Sequence, residues 1–337
     1  MDDWPGIDFA AARERLRGVV ERTPLAPFPS GDPRIELRLK LECLQVAGAF
    51  KARGAWNQVA SLPAAARRAG VVATSSGNHA GALAWAAQRA GVPCTVFMPA
   101  DAYPNKVAAC RERGARVELR PSREEAEAAC AAAVAAGATL VHPYDAERTL
   151  EGAGTVALEV LEQWPEVEVL VCPVGGGGLI GGCALAAWRE RAARAAAGRP
   201  PLRVLGVEPA GAPSMTRGLA AGRPVKLERI DTRVQGLCPL DSGALPIAVA
   251  ARCVDRILTL PDEPILAAQS RLVRESGWTV EPAGAAAPAL VLAGALPPGL
   301  LVGRTPERPL RVAAVVSGGN PDPAQLAGLL ESEEAET

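Results

Sequence analysis

The sequence predicts an α/β protein with largely parallel sheets, on three observations. Short β-branched runs alternate with Ala-rich segments of helical length. Gly and Pro mark the joints between them, as at Pro99, Gly114, Gly137 and Pro165. No internal repeat interrupts this alternation, and the Ala-rich stretch after Arg123 has helix composition rather than low complexity.

Strands are expected at Ile35–Leu41, Gly70–Thr74, Cys94–Met98, Ala115–Leu119, Thr139–His142, Val167–Val174, Arg203–Val207, Arg256–Leu260 and Leu310–Val316. Helices are expected at Phe50–Ser61, Asn78–Ala90, Pro104–Arg113, Ser122–Ala136, Leu150–Gln163, Leu179–Ala196 and Glu263–Ser276. The strand–helix units of residues 70–147 form one self-contained run. They read as a smaller α/β domain inserted in a larger one made of residues 1–69 and 148–337. The acidic tail from Glu331 to Thr337 is expected to fray.

A chain of 337 residues can bury a substantial core, and 49% hydrophobic with 22% charged residues is ordinary for a soluble globular protein. A net charge of −1 gives no electrostatic reason to expect nucleic acid or an anionic membrane as partner, so a small ligand fits better. The eight cysteines (Cys43, Cys94, Cys110, Cys130, Cys172, Cys183, Cys238 and Cys253) show neither a CxxC pair nor zinc-like spacing, and read as reduced, buried thiols. Met1 to Leu16 lacks the apolar core of a signal peptide. The uncharged stretch from Pro282 to Gly303 is rich in Ala, Gly and Pro, and should insert weakly in a membrane and break as a helix. A cytoplasmic location follows as the expectation.

Four segments carry chemistry. The first is Ala47-Gly48-Ala49-Phe50-Lys51-Ala52-Arg53-Gly54, after a strand. The chain has only four lysines, Lys40, Lys51, Lys106 and Lys226. Arginine cannot lose its proton near neutral pH and cannot form an imine, whereas lysine can do both. Lys51, at a Gly-bounded strand-to-helix junction, is therefore a candidate Schiff-base residue. A solvated surface lysine is the bland alternative.

The second is Thr74-Ser75-Ser76-Gly77-Asn78-His79, closing a strand and opening a helix whose free N–H groups suit a carboxylate or phosphate. Plain N-capping by Ser or Asn is the alternative. The third is Pro173-Val174-Gly175-Gly176-Gly177-Gly178-Leu179, where the glycines can turn N–H groups inward as an anion cradle. Gly176, Gly178 and Gly181 also match the dinucleotide pattern GxGxxG, although its acidic partner, Glu208, lies 27 residues past Gly181. The fourth is Val316-Ser317-Gly318-Gly319-Asn320, where a strand-end hydroxyl can bond a heteroaromatic nitrogen.

In order and spacing these segments resemble the fold-type II pyridoxal-phosphate (PLP) enzymes, most closely the threonine/serine dehydratase and serine racemase group. The matching stretches are GAFKARGA, SSGNHAGALA, MPADAYPNK (Met98–Lys106), EGAGTVALEV (Glu151–Val160), PVGGGGLIGG, GVEP, EPAGA and SGGN, running from about Lys40 to Asn320. The resemblance implies a tryptophan synthase β-like fold, with two α/β domains built on open twisted, mostly parallel sheets. It implies pyridoxal 5'-phosphate as cofactor, a small amino acid as substrate and a homodimer.

It also implies roles. Lys51 would be the Schiff-base lysine and the α-proton base, with Phe50 beside the ring. Asn78 would bond the ring hydroxyl oxygen, Gly175, Gly176, Gly177, Gly178 and Leu179 would cradle the phosphate, and Ser317 would face the pyridine nitrogen. Ser75, Ser76, Gly77, Asn78 and His79 would receive the substrate carboxylate. Ser76 matches the serine that handles a proton on the opposite face in racemases. The implied reaction converts L-threonine or L-serine to 2-oxobutanoate or pyruvate plus ammonia.

The chain departs from the group in three places. AGAFK replaces the usual TGSFK, and Val234-Gln235-Gly236-Leu237 replaces an ADG-type sequence on the substrate side. The metal site of racemase-like members would use Glu208, the Ala212 carbonyl and an acidic residue where this chain has Ser214, so no metal is assigned. A C-terminal regulatory domain is not expected after SGGN. Rival readings within the family are serine racemase, a hydroxyaspartate or phenylserine ammonia-lyase, and threonine synthase. Outside it stand an NAD-binding oxidoreductase and a non-catalytic relative that keeps the fold. His79 and His142, the only histidines, read as structural.

Overall fold

A computed structural model of the chain describes residues 4–331. It opens with α1 (Phe9–Leu16), β1 (Leu25–Phe28), β2 (Ile35–Lys40), α2 (Lys51–Ala60) and α3 (Ala64–Ala69). Next come β3 (Val71–Thr74), α4 (Asn78–Ala90), β4 (Cys94–Pro99), α5 (Pro104–Glu112), β5 (Arg116–Arg120), α6 (Arg123–Ala135) and β6 (Thr139–Leu140). Then follow α7 (Glu147–Gln163), β7 (Val169–Pro173), α8 (Gly178–Ala196), β8 (Arg203–Pro209), α9 (Ser214–Ala221) and α10 (Ala244–Cys253). The chain closes with β9 (Arg256–Leu260), α11 (Asp262–Ser276), α12 (Pro282–Leu292), β10 (Leu310–Val315) and α13 (Pro323–Glu331).

The strands form two sheets. One has the order β1-β2-β10-β7-β8-β9, the other β5-β4-β3-β6. All pairings are parallel except β1 with β2. β7 lies inside the larger sheet, and all five of its residues (VLVCP) are buried, as a strand covered by helices on both faces requires. One face of that sheet packs under α11 and α12, the other under α7, α8 and α10. The smaller sheet is likewise covered on both faces, by α2 and α4 on one and by α6 on the other. In such open sheets, ligands bind beyond the carboxyl ends of the strands, where the strand order reverses. Here those ends carry the segments after β2, β3, β7 and β10.

Glycines on α7 and α8 let three helices approach backbone to backbone. A Cβ at Gly152 would lie 2.6 Å from the Arg53 carbonyl oxygen of α2, and one at Gly182 of α8 would lie 2.3 Å from the Leu150 carbonyl oxygen of α7. The EGAGTVALEV stretch is thus a packing surface that holds α2, and with it Lys51, against α7.

The expected strands and helices all occur, with ends shifted by a few residues; the strand expected at Thr139–His142 is only Thr139–Leu140. The expected helix break after Pro282 is overturned. Residues 282–292 form α12, with Pro288 inside it and nearly every residue buried. An interior proline costs about 3 kcal/mol. Full burial of Leu290 and Val291 alone offsets that, at about 1.5–3 kcal/mol each, because α12 lies between α11 and the sheet. β1 is absent from the sequence reading because it contains Pro27, which an edge strand tolerates. Helices α1, α3, α9, α10 and α13 are likewise absent from it. Of the tail expected to fray, Ser332 to Thr337 lie outside the described residues. Among the described residues no helix is long and apolar enough to cross a membrane.

Candidate active site

Lys51 opens α2. Its Nζ donates to the Pro143 carbonyl oxygen at 2.6 Å and stands 5.0 Å from the centre of the Phe50 ring. Removal from water lowers its pKa to about 8, and no carboxylate opposes that shift. The other lysines are differently placed. Lys40 is buried and ion-paired with Glu159, Lys106 donates to the Asn320 carbonyl, and Lys226 is exposed.

Lys51 is brought to the end of β10 by backbone pairing. Phe50 N–H donates to the Ser317 carbonyl at 3.1 Å, and Gly319 N–H donates to the Gly48 carbonyl at 2.8 Å. Ser317 is buried, and its hydroxyl donates to the Ala283 carbonyl at 3.3 Å. Behind Lys51, Arg53 is buried and donates to both Glu42 oxygens at 2.8 Å and to Glu159 at 2.6 and 2.9 Å. This cluster pins the first turn of α2 to the turn after β2 and to α7.

The turn after β3 leads into α4 through Gly77, a residue with no side chain to cap the helix. Ser75 Oγ accepts from the Gly77 N–H at 3.2 Å. Ser76 Oγ makes no hydrogen bond to the protein among the described residues, so capping does not account for it. Asn78 Nδ2 donates to Glu281, and Asn78 Oδ1 accepts from Asn320 Nδ2 at 2.9 Å. Burial raises the Glu281 pKa against the opposing pull of Lys106. His79 is turned away: its Nε2 meets the Val141 carbonyl at 2.7 Å, and burial pushes its pKa down to about 3. His142 Nδ1 accepts from Asp145 N–H at 2.8 Å and shapes the crossover out of β6.

The glycine loop after β7 packs against that crossover. A Cβ at Gly176 would lie 2.2 Å from Tyr144 Cδ1, and one at Gly178 would lie 2.9 Å from Tyr144 Cα. Gly177 has φ +92°. The loop therefore admits only glycine where it bends. The N–H groups of Gly175 to Leu179 donate to no protein acceptor among the described residues. This unpartnered row of N–H groups at a helix start packs against Tyr144, next to the Pro143 carbonyl that takes Lys51, so the row fits the phosphate of PLP and the Lys51 amine fits its aldehyde. The dinucleotide reading fares worse. Glu208 is buried, and its carboxylate accepts from Met215 N–H, Thr216 N–H and Thr216 Oγ1, which leaves it unavailable to a ribose.

Lys51, Phe50, Asn78 and Ser317 thus converge with the glycine loop, while the His79 side chain does not. Sequence reasoning assigned no role to Glu281, Asn320, Tyr144, Asp145, Asp241 or Ser242. Glu281 and Asn320 sit inside the quoted motifs EPAGA and SGGN, and that was their available signal. Tyr144, whose hydroxyl donates to Asp241 at 3.3 Å, carried none.

A family model described as "Pyridoxal-phosphate dependent enzyme" matches residues 16–305. An L-threonine ammonia-lyase of Thermotoga maritima is 37% identical over 320 residues, 94% of this chain and 75% of that protein. Among solved structures, maize serine racemase matches with a TM-score of 0.84 at 33% identity, covering 97% of each chain. A threonine deaminase of T.th. matches with a TM-score of 0.80 at 37% identity, covering 93% of this chain and 97% of that one.

Proposed function

The chain belongs to the pyridoxal-phosphate dependent enzymes, and on that premise we propose that Lys51 and the Ser75–His79 turn carry out its elimination of water and ammonia from a small β-hydroxy amino acid. It is a lyase that uses pyridoxal 5'-phosphate, and its substrate is L-threonine or L-serine. The observation that carries the site is the shared crossover: Pro143 receives the Lys51 amine, and Tyr144 lies against the glycine cradle.

The bound cofactor supplies an electron sink for the pair left when the Cα–H bond breaks. The protein supplies orientation and a base. Lys51 would hold the cofactor through its side-chain amine until the substrate amine takes that place. Its amine, free of any carboxylate and lowered to about 8, then removes the Cα proton. The N–H groups of Ser76, Asn78 and His79, which have no protein acceptor among the described residues, would receive the substrate carboxylate, and Asn78 would hold the ring hydroxyl oxygen from its place on Glu281 and Asn320. The N–H groups of Gly175 to Leu179 take the phosphate. Ser317, a neutral partner, would turn its one hydroxyl proton from the Ala283 carbonyl to the pyridine nitrogen. For threonine the balance is one 2-oxobutanoate and one ammonia per substrate, since the water lost from Cβ is recovered in hydrolysis.

A second reading, serine racemase, is favoured by Ser76, whose hydroxyl makes no protein bond and so is free to carry a proton. Residues 70–147, which hold the smaller sheet, are read as the smaller domain, and the enzyme is read as a cytoplasmic homodimer. One assay separates the activities. The PLP-loaded protein is given L-threonine, L-serine and 3-hydroxyaspartate, and 2-oxo acid, ammonia and D-serine are measured. Equimolar 2-oxo acid and ammonia from L-threonine or L-serine are expected. D-serine as the sole product makes the protein a racemase, and absence of 2-oxo acid from every substrate overturns the lyase reading.

A further inference from the structure

We propose that Glu208, Ser214 and Ser242 form a buried positioning relay that aims the N–H groups of the glycine cradle, and that this relay stands in place of a metal ion. The proposal rests on the reading of Gly175 to Leu179 as the phosphate cradle.

Glu208 lies near the end of β8 with its carboxylate fully buried. It accepts from Met215 N–H at 2.6 Å, Thr216 N–H at 2.9 Å and Thr216 Oγ1 at 2.7 Å, which fixes the first turn of α9. That turn begins at Ser214, also fully buried, whose hydroxyl lies 2.9 Å from the Ser242 hydroxyl. Ser242 Oγ in turn donates to the Gly175 carbonyl at 3.2 Å. A hydroxyl has one proton to give, so the direction is settled: Ser214 donates to Ser242, and Ser242 donates to Gly175. The neighbouring Gly243 N–H donates to the Gly176 carbonyl at 3.1 Å.

The consequence follows from peptide geometry. In a trans peptide the carbonyl of one residue and the N–H of the next point in opposite directions. With the Gly175 and Gly176 carbonyls drawn toward Ser242 and Gly243, the N–H groups of Gly176 and Gly177 face the other way, into the cradle. The same α9 turn props the loop from below, since a Cβ at Gly177 would lie 2.3 Å from Met215 Cε. Without the relay the Gly175 peptide is free to rotate, and glycine offers little resistance.

The relay also engages the groups a cation would need. Both Glu208 oxygens are occupied, the Ala212 carbonyl accepts from Ser214 N–H at 2.9 Å, and Ser214 brings a neutral hydroxyl already bound to Ser242. A divalent ion prefers several charged or carbonyl oxygens with free lone pairs. These residues do not fit one.

The test is the phosphate preference of cofactor binding. The full chain, stripped of cofactor, is titrated with pyridoxal 5'-phosphate and with pyridoxal, in wild type and in Ser242→Ala. The variant should lose about five- to tenfold in affinity for the phosphate ester, the worth of one hydrogen bond, and keep its affinity for pyridoxal. Ser214→Ala, which touches no cradle atom, should shift the same preference in the same direction, and it carries the test should Ser242→Ala not fold. Equal losses for both ligands, or a full retained preference, overturn the relay. A wild type that binds pyridoxal as tightly as its phosphate ester overturns the cradle reading instead. Dialysis against EDTA should leave the wild-type affinity and Tm unchanged. A fall restored by magnesium or calcium would overturn the metal-free part of the proposal.

Discussion

Lys51 and Pro143, 92 residues apart in sequence, are joined by a 2.6 Å hydrogen bond from the lysine amine to the proline carbonyl. It connects the start of α2 to the crossover that leads from the smaller sheet to the larger one. If this is the amine that takes the cofactor, Lys51→Ala should lose the yellow cofactor absorbance and all turnover. Borohydride reduction of wild type followed by peptide mass spectrometry should find the adduct on Lys51; an adduct on Lys40, Lys106 or Lys226 would refute the site.

The same amine should titrate low. Burial brings its pKa from 10.5 to about 8 in the folded chain. Depression of an ammonium pKa means that the free, nucleophilic amine predominates above about pH 8. Capture of pyridoxal 5'-phosphate by the stripped protein should therefore accelerate about tenfold per pH unit below that point and level off above it. A rate still climbing steeply at pH 10 would place the amine in water.

Ser76 should be dispensable for stability. It makes no capping bond, so Ser76→Ala should change the unfolding free energy by less than about 0.5 kcal/mol, against about 1 kcal/mol for a true cap. If it carries a proton, D-serine formation should fall while elimination persists. A destabilised variant with unchanged product ratios would return Ser76 to a structural role.

Arg53 should be among the costliest residues to replace. Arg53→Leu leaves Glu42 buried without its guanidinium, and breaking such a pair costs about 3–5 kcal/mol. Urea unfolding with an unchanged m-value measures it. A loss below about 1 kcal/mol would mean that water reaches the cluster.

Ser317→Asp should impair elimination. A carboxylate at that position would hold a proton on the pyridine nitrogen, and at the buried end of β10 it would need a partner that the Ala283 carbonyl cannot supply. Faster elimination by the variant would end the argument for a neutral partner.

Much of this was legible in the chain itself. The turn chemistry around Lys51, the glycine loop and SGGN is local, because a lysine at a strand-to-helix junction or a run of glycines declares itself within a few residues. Every strand but β1 was legible for the same reason. Helix α12 was not, because Pro288 argues against a helix locally and only burial between α11 and the sheet reverses that. Capping by Ser76 also looked plausible until the helix start fell on Gly77.

The order of segments along the chain, their residue types and the cofactor chemistry those types permit were thus determined by the sequence alone. Tertiary structure decided which distant groups meet: Pro143 with Lys51, Tyr144 with the glycine loop, Glu281 with Asn78, and Ser242 with the Gly175 carbonyl. The reason is physical. Propensity and turn preference act over a few residues, whereas the partner of a buried polar group is chosen by whichever strand ends the sheet order brings together.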